Sequence, residues 1–395
     1  MAGAESDTVG TALRPAKPAR GSPARLPLRS VPEAPVGVAI GSCMYLAALG
    51  TATPAARYTK AECLAAFERS DWLARLDKRS HFIARNVLQR DNGIEARRLA
   101  VDRLDDVFTI DPDTLAQRFL AHAPVLATQA AQRALTRAGL DPTAIDAVVV
   151  STCTGYLCPG LSGHVIERLG LRADVQAYDL VGQGCAAALP NLQLGRALLG
   201  MPGCERVLSV CVEVSSAAMY LDDDPGVLIS ACLFGDGAGA AVLTREPPAT
   251  GRRIAWVDSA SFIDPTRRGA LQFEQRAGML RNILTREVPE LAAKHAQRLL
   301  QQVLGRAGLV PDDIGAWILH AGGRDVLQAV ARRLERDVAD FGYSAAMLRE
   351  YGNLSSAFVY FVLEAALADD APGPWWWLSA FGAGFSCHGA LLKVE

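Results

Sequence analysis

A cysteine that follows a glycine-rich turn is the strongest candidate for chemistry in this sequence. An apolar run ends in Gly182-Gln183-Gly184-Cys185 and opens onto an Ala/Leu-rich segment, which predicts a sharp strand-to-helix turn. We expect Cys185 in the first turn of that helix, where the positive end of the helix dipole favours a thiolate. Such a thiol is a candidate covalent nucleophile. The alternative is a small buried cysteine that packs where strand meets helix.

Two further candidates, His320 and Asn353, stand at comparable junctions. His320 ends an apolar strand and precedes Ala321-Gly322-Gly323, a bend in which Gly322 and Gly323 leave room for a ligand. Open α/β sheets bind ligands at such carboxyl ends of strands. Asn353 follows a glycine and precedes an apolar helical segment. The structural alternatives are a core histidine bonded to backbone and an asparagine that caps a helix.

Together these three residue types predict acyl-transfer chemistry. The Nε2–H of a neutral His320 and the amide of Asn353 can both donate to one oxygen, which forms an oxyanion hole near the Cys185 sulfur. A thioester carbonyl held by two donors gains stability when it becomes an enolate. Decarboxylation of a malonyl unit would create that enolate without a strong base. The arrangement therefore fits thioester acyl transfer followed by carbon–carbon bond formation.

The elements that position these residues are predicted from an internal repeat. Residues 137–151 and 306–320 share the order helix end, Arg-Ala-Gly-Leu, Pro and apolar strand. A second repeat relates Phe234-Gly235-Asp236-Gly237 to Phe381-Gly382-Ala383-Gly384. The strands lack alternation, which is typical of sheets buried on both faces. We predict a duplicated, layered α/β/α/β/α fold, with residues 36–245 carrying the cysteine and 246–395 the histidine and asparagine.

Composition limits the function classes. Hydrophobic residues make up 50% of the 395 residues and the formal net charge is -2, so nothing favours nucleic acid or an anionic membrane surface. No apolar run reaches the length of about 20 residues that a spanning helix needs. The nine cysteines show neither a disulfide framework nor metal-ligand spacing. We therefore expect a cytoplasmic protein with free thiols and no metal. Residues 1–35 are Ala/Pro/Arg/Ser-rich and predict a disordered arm.

At these residues the sequence resembles the type III polyketide synthases, the chalcone-synthase-like branch of the thiolase superfamily. The resemblance rests on five motifs in the same order and covers about residues 40–395. The motifs are Gly184-Cys185, Leu233-Phe234-Gly235-Asp236-Gly237, His320-Ala321-Gly322-Gly323, Tyr351-Gly352-Asn353-Leu354-Ser355-Ser356 and Phe381-Gly382-Ala383-Gly384. It implies a thiolase-like fold and a homodimer that needs no cofactor beyond its CoA thioester substrates.

The resemblance also implies the reaction and a role for each residue. Cys185 would be acylated by a starter acyl-CoA, and His320 and Asn353 would promote decarboxylation of malonyl-CoA. Repeated condensation and cyclisation would then give an aromatic or pyrone ring. Phe234 matches the family's aromatic gatekeeper. Cys153, Thr154, Ser215 and Ser355 match cavity-lining positions, and Arg75, Lys78 and Arg79 lie where the family binds CoA phosphates.

Two departures from the plant pattern indicate a bacterial type. Cys153 stands where plant enzymes usually carry threonine, either as cavity lining or as a second reactive thiol. No phenylalanine is present in residues 278–282, where the plant pattern has a second gatekeeper. Less bulk on a cavity wall leaves volume for an aliphatic chain, so we expect a medium- or long-chain starter. The main alternative is that malonyl-CoA also serves as the starter.

A different kind of condensing enzyme remains the alternative for the family. A β-ketoacyl-acyl carrier protein synthase III-like enzyme shares Cys185, His320 and Asn353, and its partner would be a carrier protein. Phe234 in its Gly-Asp-Gly setting and the serines that follow Asn353 favour the polyketide synthase.

Overall fold

The apolar runs of the sequence form the strands of a mixed sheet in the computed structural model, which describes residues 44–395. The predicted arm of residues 1–35 lies outside the described residues. The strands are β1 Met44–Ala52, β2 Arg57–Thr59, β3 Ala96–Arg98, β4 Ala147–Thr152, β5 Gln176–Val181, β6 Arg206–Glu213, β7 Gly237–Thr244, β8 Ile254–Ile263, β9 Leu271–Arg276, β10 Met279–Leu284, β11 Ile314–Leu319, β12 Trp375–Gly382 and β13 Ser386–Val394.

The segments with helical periodicity form α-helices that connect these strands. The helices are α1 Lys60–Arg69, α2 Trp72–Arg75, α3 Lys78–Gln89, α4 Pro112–Ala138, α5 Leu161–Leu169, α6 Ala188–Leu199, α7 Pro225–Leu233, α8 Val288–Ala307, α9 Arg324–Leu334, α10 Gly342–Tyr351 and α11 Phe358–Ala368. Short 3-10 turns at Gly184–Ala186 and Ser355–Ala357 lead into α6 and α11. The candidate residues Cys185 and Asn353 therefore lie close to helix starts.

The sheet shows the duplication in its strand order. Nine strands run in the order β11-β12-β13-β8-β1-β7-β6-β4-β5. The two halves meet at the antiparallel β1–β8 pair. On one side of it, β1 pairs with β7 and β7 with β6 in antiparallel fashion, and β6 pairs with β4 in parallel. The strands β8, β13, β12 and β11 repeat that sequence of pairings on the other side. The predicted duplicated α/β fold is confirmed.

Two left-handed glycines end the corresponding helices of the two halves. Gly139 has φ 64° and follows α4, and Gly308 has φ 68° and follows α8. Glycine adopts this conformation without a Cβ penalty, and it stops both helices at the same point of the repeat. Short 3-10 turns at Pro142–Ala144 and Pro311–Asp313 then lead into β4 and β11. The local signals read from the sequence are thus the ones that direct each strand into the sheet.

Helices cover both faces of the sheet and also lie between its two halves. Helix α4 contacts β1, β6 and β7 from one side, and α8 contacts β8 and β13 from the other. Helix α6 contacts β4 and β6 of the first half and β12 and β13 of the second, and α11 likewise contacts strands of both halves. Because α6 and α11 are shared, the layers follow the predicted α/β/α/β/α order.

Strand β4 shows why the strands lack alternation. Val148 and Val150 pack in the apolar cluster around α4, whereas Val149 packs in the cluster around α6 and α11. Both faces of the strand are buried, so residues 147–150 are all apolar and the polar residues come only at its end. The predicted division near residue 245 falls in the loop between β7 and β8. Since the described residues belong to one compact unit, that division stays a prediction.

Candidate active site

Cys185 lies in the tight turn between β5 and α6. Gly184 has φ 58°, and a Cβ built on it would lie 2.8 Å from the Ala383 amide nitrogen in the loop between β12 and β13. Only glycine fits this left-handed, closely approached position. The single 3-10 turn Gly184–Ala186 carries the cysteine, and α6 begins at Ala188. Cys185 therefore lies in the short 3-10 turn just before α6, whereas the sequence predicted it in the first turn of the α-helix.

Burial opposes ionisation of the Cys185 thiol. Burial raises its pKa to about 12; the Ser355 hydroxyl lowers the pKa, and the Glu213 carboxylate raises it. Removal of the charged form from water disfavours the thiolate. The prediction that the start of the helix favours a thiolate at Cys185 stays a prediction.

The buried carboxylate of Glu213 is connected to Cys185 through the Ser355 hydroxyl, which lies close to both. Its side chain accepts hydrogen bonds from the Cys153 amide at 3.0 Å, the Thr154 hydroxyl at 2.9 Å and the Ser356 hydroxyl. Its Oε1 also lies 3.3 Å from the Ser355 hydroxyl oxygen. Burial raises the pKa of Glu213, although these donors oppose the shift. Sequence reasoning missed this residue. The available signal was one acidic residue at the end of the apolar strand β6.

Cys153 follows β4 and donates to that carboxylate. Its sulfur lies 3.4 Å from Glu213 Oε1 and 3.3 Å from the Ser355 hydroxyl oxygen. Burial first, and then the charge of Glu213, raise the pKa of Cys153 well above its ordinary value. Cys153 also lines the larger cavity, which fits its interpretation as cavity lining. The raised pKa, which it shares with Cys185, does not distinguish this role from that of a second nucleophile.

His320 is a neutral, unpartnered imidazole directly after β11. Only 3% of the residue is exposed, and its ring lies 5.5 Å from the Phe358 ring and 5.2 Å from the Phe381 ring, measured between centroids. Burial lowers its pKa to about 3. Neither ring nitrogen has a hydrogen-bond partner within residues 44–395. The interpretation as a core histidine bonded to backbone is wrong, and a buried orphan ring indicates a ligand site.

Asn353 is fixed by both ends of its amide. Its Nδ2 donates to the Gly322 carbonyl at 3.0 Å, and its Oδ1 accepts from the Ser355 amide at 2.8 Å. One Nδ2–H remains for a ligand, because the amide nitrogen carries two protons. Helix α11 begins at Phe358 without a side-chain cap. Asn353 therefore does not cap that helix.

A chain of contacts links the three predicted catalytic residues. Ser355 Oγ lies 3.3 Å from Cys185 Sγ, and the Ser355 amide bonds Asn353. Asn353 in turn bonds the carbonyl of Gly322, in the turn that follows His320. The junctions after β5, after β11 and before α11 thus come together at one place. Gly323 is extended, with φ 170°, and leads into α9.

Two cavities adjoin this cluster. The larger has a volume of about 660 Å³ and is lined by Cys153, Thr154, Gly184 and the β9–β10 hairpin, among others. The smaller, of about 30 Å³, is lined by Phe234, Ser215 and Thr154. The first volume lies within the range of ligand pockets, roughly 300–1,000 Å³. Of the residues predicted to bind substrate, Cys153 lines the larger space, Ser215 and Phe234 line the smaller one, and Thr154 lines both. Ser355, Gly322 and Gly323 line neither space.

The predicted CoA-binding cations lie outside both cavity linings. Arg75 ends α2 and its guanidinium stands over the Trp72 ring at 5.1 Å, and Lys78 and Arg79 begin α3. All three are exposed. Throughout residues 44–395, no carboxylate forms an ion pair with any of them. They are thus free cations on the surface.

The described part of the chain has neither a metal-binding cluster nor a membrane-spanning helix. Residues 44–395 contain no group of three or more His, Cys, Asp or Glu side chains that could hold a metal ion. No helix in that range has both the length and the apolar character required to cross a membrane.

Comparisons with known proteins identify the family. The family model of FAE1/type III polyketide synthase-like proteins matches residues 52–260, and that of the chalcone and stilbene synthase C-terminal domain matches residues 258–394. The protein is 37% identical over 274 residues to a 1,3,6,8-tetrahydroxynaphthalene synthase of Streptomyces peucetius subsp. caesius, covering 68% of this chain and 72% of the relative. The chain belongs to the type III polyketide synthase family.

Further matches agree with this assignment. A 3,5-dihydroxyphenylacetyl-CoA synthase of Streptomyces toyocaensis is 28% identical over 356 residues, covering 87% of this chain and 88% of the relative. The crystal structure of PKS-I from the brown alga Ectocarpus siliculosus superposes with a TM-score of 0.82 at 26% identity, covering 90% and 99% of the two chains. The predicted acyltransferase-type condensing enzyme and thiolase-like fold are confirmed. The β-ketoacyl-acyl carrier protein synthase alternative is not favoured.

Proposed function

We propose that Cys185 carries the acyl chain in this polyketide synthase. Its sulfur attacks the carbonyl of a starter acyl-CoA, and CoA leaves as the free thiol. Malonyl-CoA then loses CO₂ to give an enolate, whose carbon attacks the Cys185 thioester and displaces the sulfur. The extended chain returns to Cys185 for further rounds and finally cyclises to an aromatic or pyrone ring. The enzyme uses CoA thioesters and no other cofactor.

The observation that carries this proposal is the unpartnered ring of His320, together with the Asn353 amide that is held by the Gly322 carbonyl two residues after His320. Since the pKa of His320 is about 3, the ring is neutral at neutral pH and keeps one N–H to donate. The free Nδ2–H of Asn353 is the second donor. Two preorganised donors in a buried site stabilise the enolate oxygen that decarboxylation creates, and neither needs to reorient during the step.

Free cations on α2 and α3 support a phosphate-binding role for Arg75, Lys78 and Arg79. An exposed guanidinium or ammonium without a carboxylate partner is available for an anion, and phosphate oxygens accept hydrogen bonds from both. The nucleotide part of a CoA thioester would lie on this surface while its acyl end reaches Cys185.

The exposed edge strand β5 supports a homodimer. The strand ends the sheet and exposes Tyr178 and Val181, the latter by 53%, and the nearby Tyr156 is 77% exposed. An unpaired strand edge bearing apolar side chains favours pairing with a second chain. Val181 and Tyr156 also line the larger cavity, so a second copy at this edge would help to close it.

The unpaired cysteines support a cytoplasmic location. The eight cysteines within residues 44–395 are all free thiols. Free thiols persist in reducing compartments such as the cytoplasm.

For the starter we propose an acyl-CoA of medium or long chain. Leu115, Phe119 and Leu120 give part of the larger cavity an apolar wall. Each methylene buried there contributes about 0.8 kcal/mol. Two relatives are named for tetrahydroxynaphthalene and dihydroxyphenylacetyl-CoA, which keeps malonyl-CoA as its own starter as the second candidate.

Incubation of the purified protein with malonyl-CoA and starters from acetyl-CoA to dodecanoyl-CoA tests the function and the starter together. We expect ring-containing products by mass spectrometry and a rise of kcat/KM with chain length. A flat or falling series, with product from malonyl-CoA alone, would contradict the aliphatic starter. No product from any CoA thioester would contradict the proposed function.

A further inference from the structure

The β9–β10 hairpin places an aromatic side chain between the two cavities. Phe273 of β9 pairs directly with Asn282 of β10. Its side chain lines both the 660 Å³ cavity and the 30 Å³ cavity beside Phe234. Only one other residue, Thr154, lines both spaces. Phe273 and Thr154 therefore form the partition between the cavities.

The two members of this partition differ in how firmly they are held. The Thr154 hydroxyl donates to Glu213 at 2.9 Å and accepts from the Val214 amide at 2.9 Å, so its rotamer is fixed by the buried carboxylate. Phe273 has no polar group and is half-buried. A change of its side chain alters the partition without disturbing the hydrogen bonds around Glu213.

Phe273 also stands apart from the apolar core. Within residues 44–395, neither Phe273 nor Phe234 belongs to or packs against any cluster of buried apolar residues. By contrast, Phe119 lines the larger cavity and also packs in the core around α4. A large aromatic side chain that stabilises no core is placed to contact whatever occupies the cavity.

We propose that Phe273 is a specificity-determining residue that limits how long an acyl chain the enzyme can hold. Its ring separates the large cavity from the space beside Phe234 and so bounds the volume open to the growing chain. This inference rests on the proposed function, because it assumes that the chain extends into the 660 Å³ cavity. Residues 278–282 contain no phenylalanine, but Phe273 of the neighbouring strand β9 lies opposite Asn282. An aromatic side chain is therefore present at this part of the cavity wall.

A series at position 273 tests the proposal. Phe273→Leu and Phe273→Ala remove bulk and join the cavities, whereas Phe273→Trp adds bulk. We expect the two smaller residues to shift the products towards longer starters or additional extensions and tryptophan to shift them the other way. We expect the product ratio to change roughly tenfold or more, because one or two methylenes change the specificity of an apolar pocket by about that factor.

Met201→Ala serves as the matched control, because Met201 is an exposed apolar residue that lines neither cavity. Products are identified by mass, and melting temperatures establish that each variant is folded. Phe273→Leu keeps an apolar side chain and preserves the test where Phe273→Ala is unstable. Product ratios equal to those of the wild type in all folded variants would overturn the role of Phe273. A wild-type protein without any product would contradict the proposed function instead.

Discussion

The hydroxyl oxygen of Ser355 lies 3.3 Å from the sulfur of Cys185. The same oxygen lies 3.3 Å from Oε1 of Glu213, and Ser355 occupies the left-handed region with φ 50°. A serine held there by Asn353 and α11 thus connects the candidate nucleophile to a fully buried carboxylate. The reactivity of Cys185 therefore depends on two residues with opposite effects on its pKa.

Substitution of Ser355 and of Glu213 should change the reactivity of Cys185 in opposite directions. Ser355→Ala removes a hydrogen bond that lowers the Cys185 pKa, so the thiolate fraction falls at a given pH. Glu213→Gln removes a charge that raises the pKa, so the thiolate fraction rises. We expect alkylation of Cys185 by iodoacetamide at pH 8 to become roughly two- to tenfold slower in Ser355→Ala and roughly two- to tenfold faster in Glu213→Gln. Peptide mapping of Cys185 over time measures both rates, and a shift in the same direction would contradict this electrostatic account.

Asn353→Ala should abolish most decarboxylation of malonyl-CoA. The loss of one oxyanion donor costs roughly 10²–10³ in rate in comparable sites. Release of CO₂ from malonyl-CoA measures the step without a starter. Asn92→Ala is the matched control, because the Asn92 amide also donates to a backbone carbonyl and accepts from the amide two residues on. The control should lose stability only. Equal decarboxylation rates in both variants would argue against the donor role of Asn353.

The double variant Lys78→Ala/Arg79→Ala should weaken CoA binding and leave the chemistry intact. We expect KM for malonyl-CoA to rise about two- to fivefold per cation, with little change in kcat. A pantetheine thioester that lacks the nucleotide should bind both proteins equally. Lys294→Ala, which removes an exposed lysine of α8, is the control. A KM that rises as much for the pantetheine thioester would point away from phosphate binding.

Val181→Lys should convert the proposed dimer to a monomer. A charge on the exposed face of the edge strand β5 opposes pairing of two copies. Light scattering coupled to size-exclusion chromatography gives the mass directly. Val257→Lys changes an equally apolar side chain that is 41% exposed on β8, a strand paired on both sides, and should leave the mass unchanged. A monomeric wild type, or a dimeric Val181→Lys variant, would refute the edge-strand dimer.

The sequence allowed prediction of the parts of the site that have local signals. Gly184 before Cys185, the bend after His320 and the glycine before Asn353 mark the ends of elements, and a repeated α/β pattern brings such ends together. The burial that raises the pKa of Cys185 could not be predicted, because it depends on residues distant in the chain.

Glu213 and Phe273 could not be found for a related reason. Glu213 ends the apolar strand β6, and its partners come from β4 and from the turn before α11, far apart in the sequence. Phe273 matters because the hairpin pairs it with Asn282, within the stretch where no aromatic residue is present. Cross-strand register is set by turn geometry and packing. Neither contact has a pattern that sequence periodicity could indicate.

The most direct test of the central claim is to locate the acyl group on the protein. The wild type and the Cys185→Ala and Cys153→Ala variants are incubated with a radiolabelled acyl-CoA without malonyl-CoA, and the labelled peptide is sequenced. We predict the label on Cys185 in the wild type, its retention in Cys153→Ala and its loss in Cys185→Ala. A label on Cys153, or one that persists in Cys185→Ala, would contradict the assignment of Cys185 as the acyl carrier.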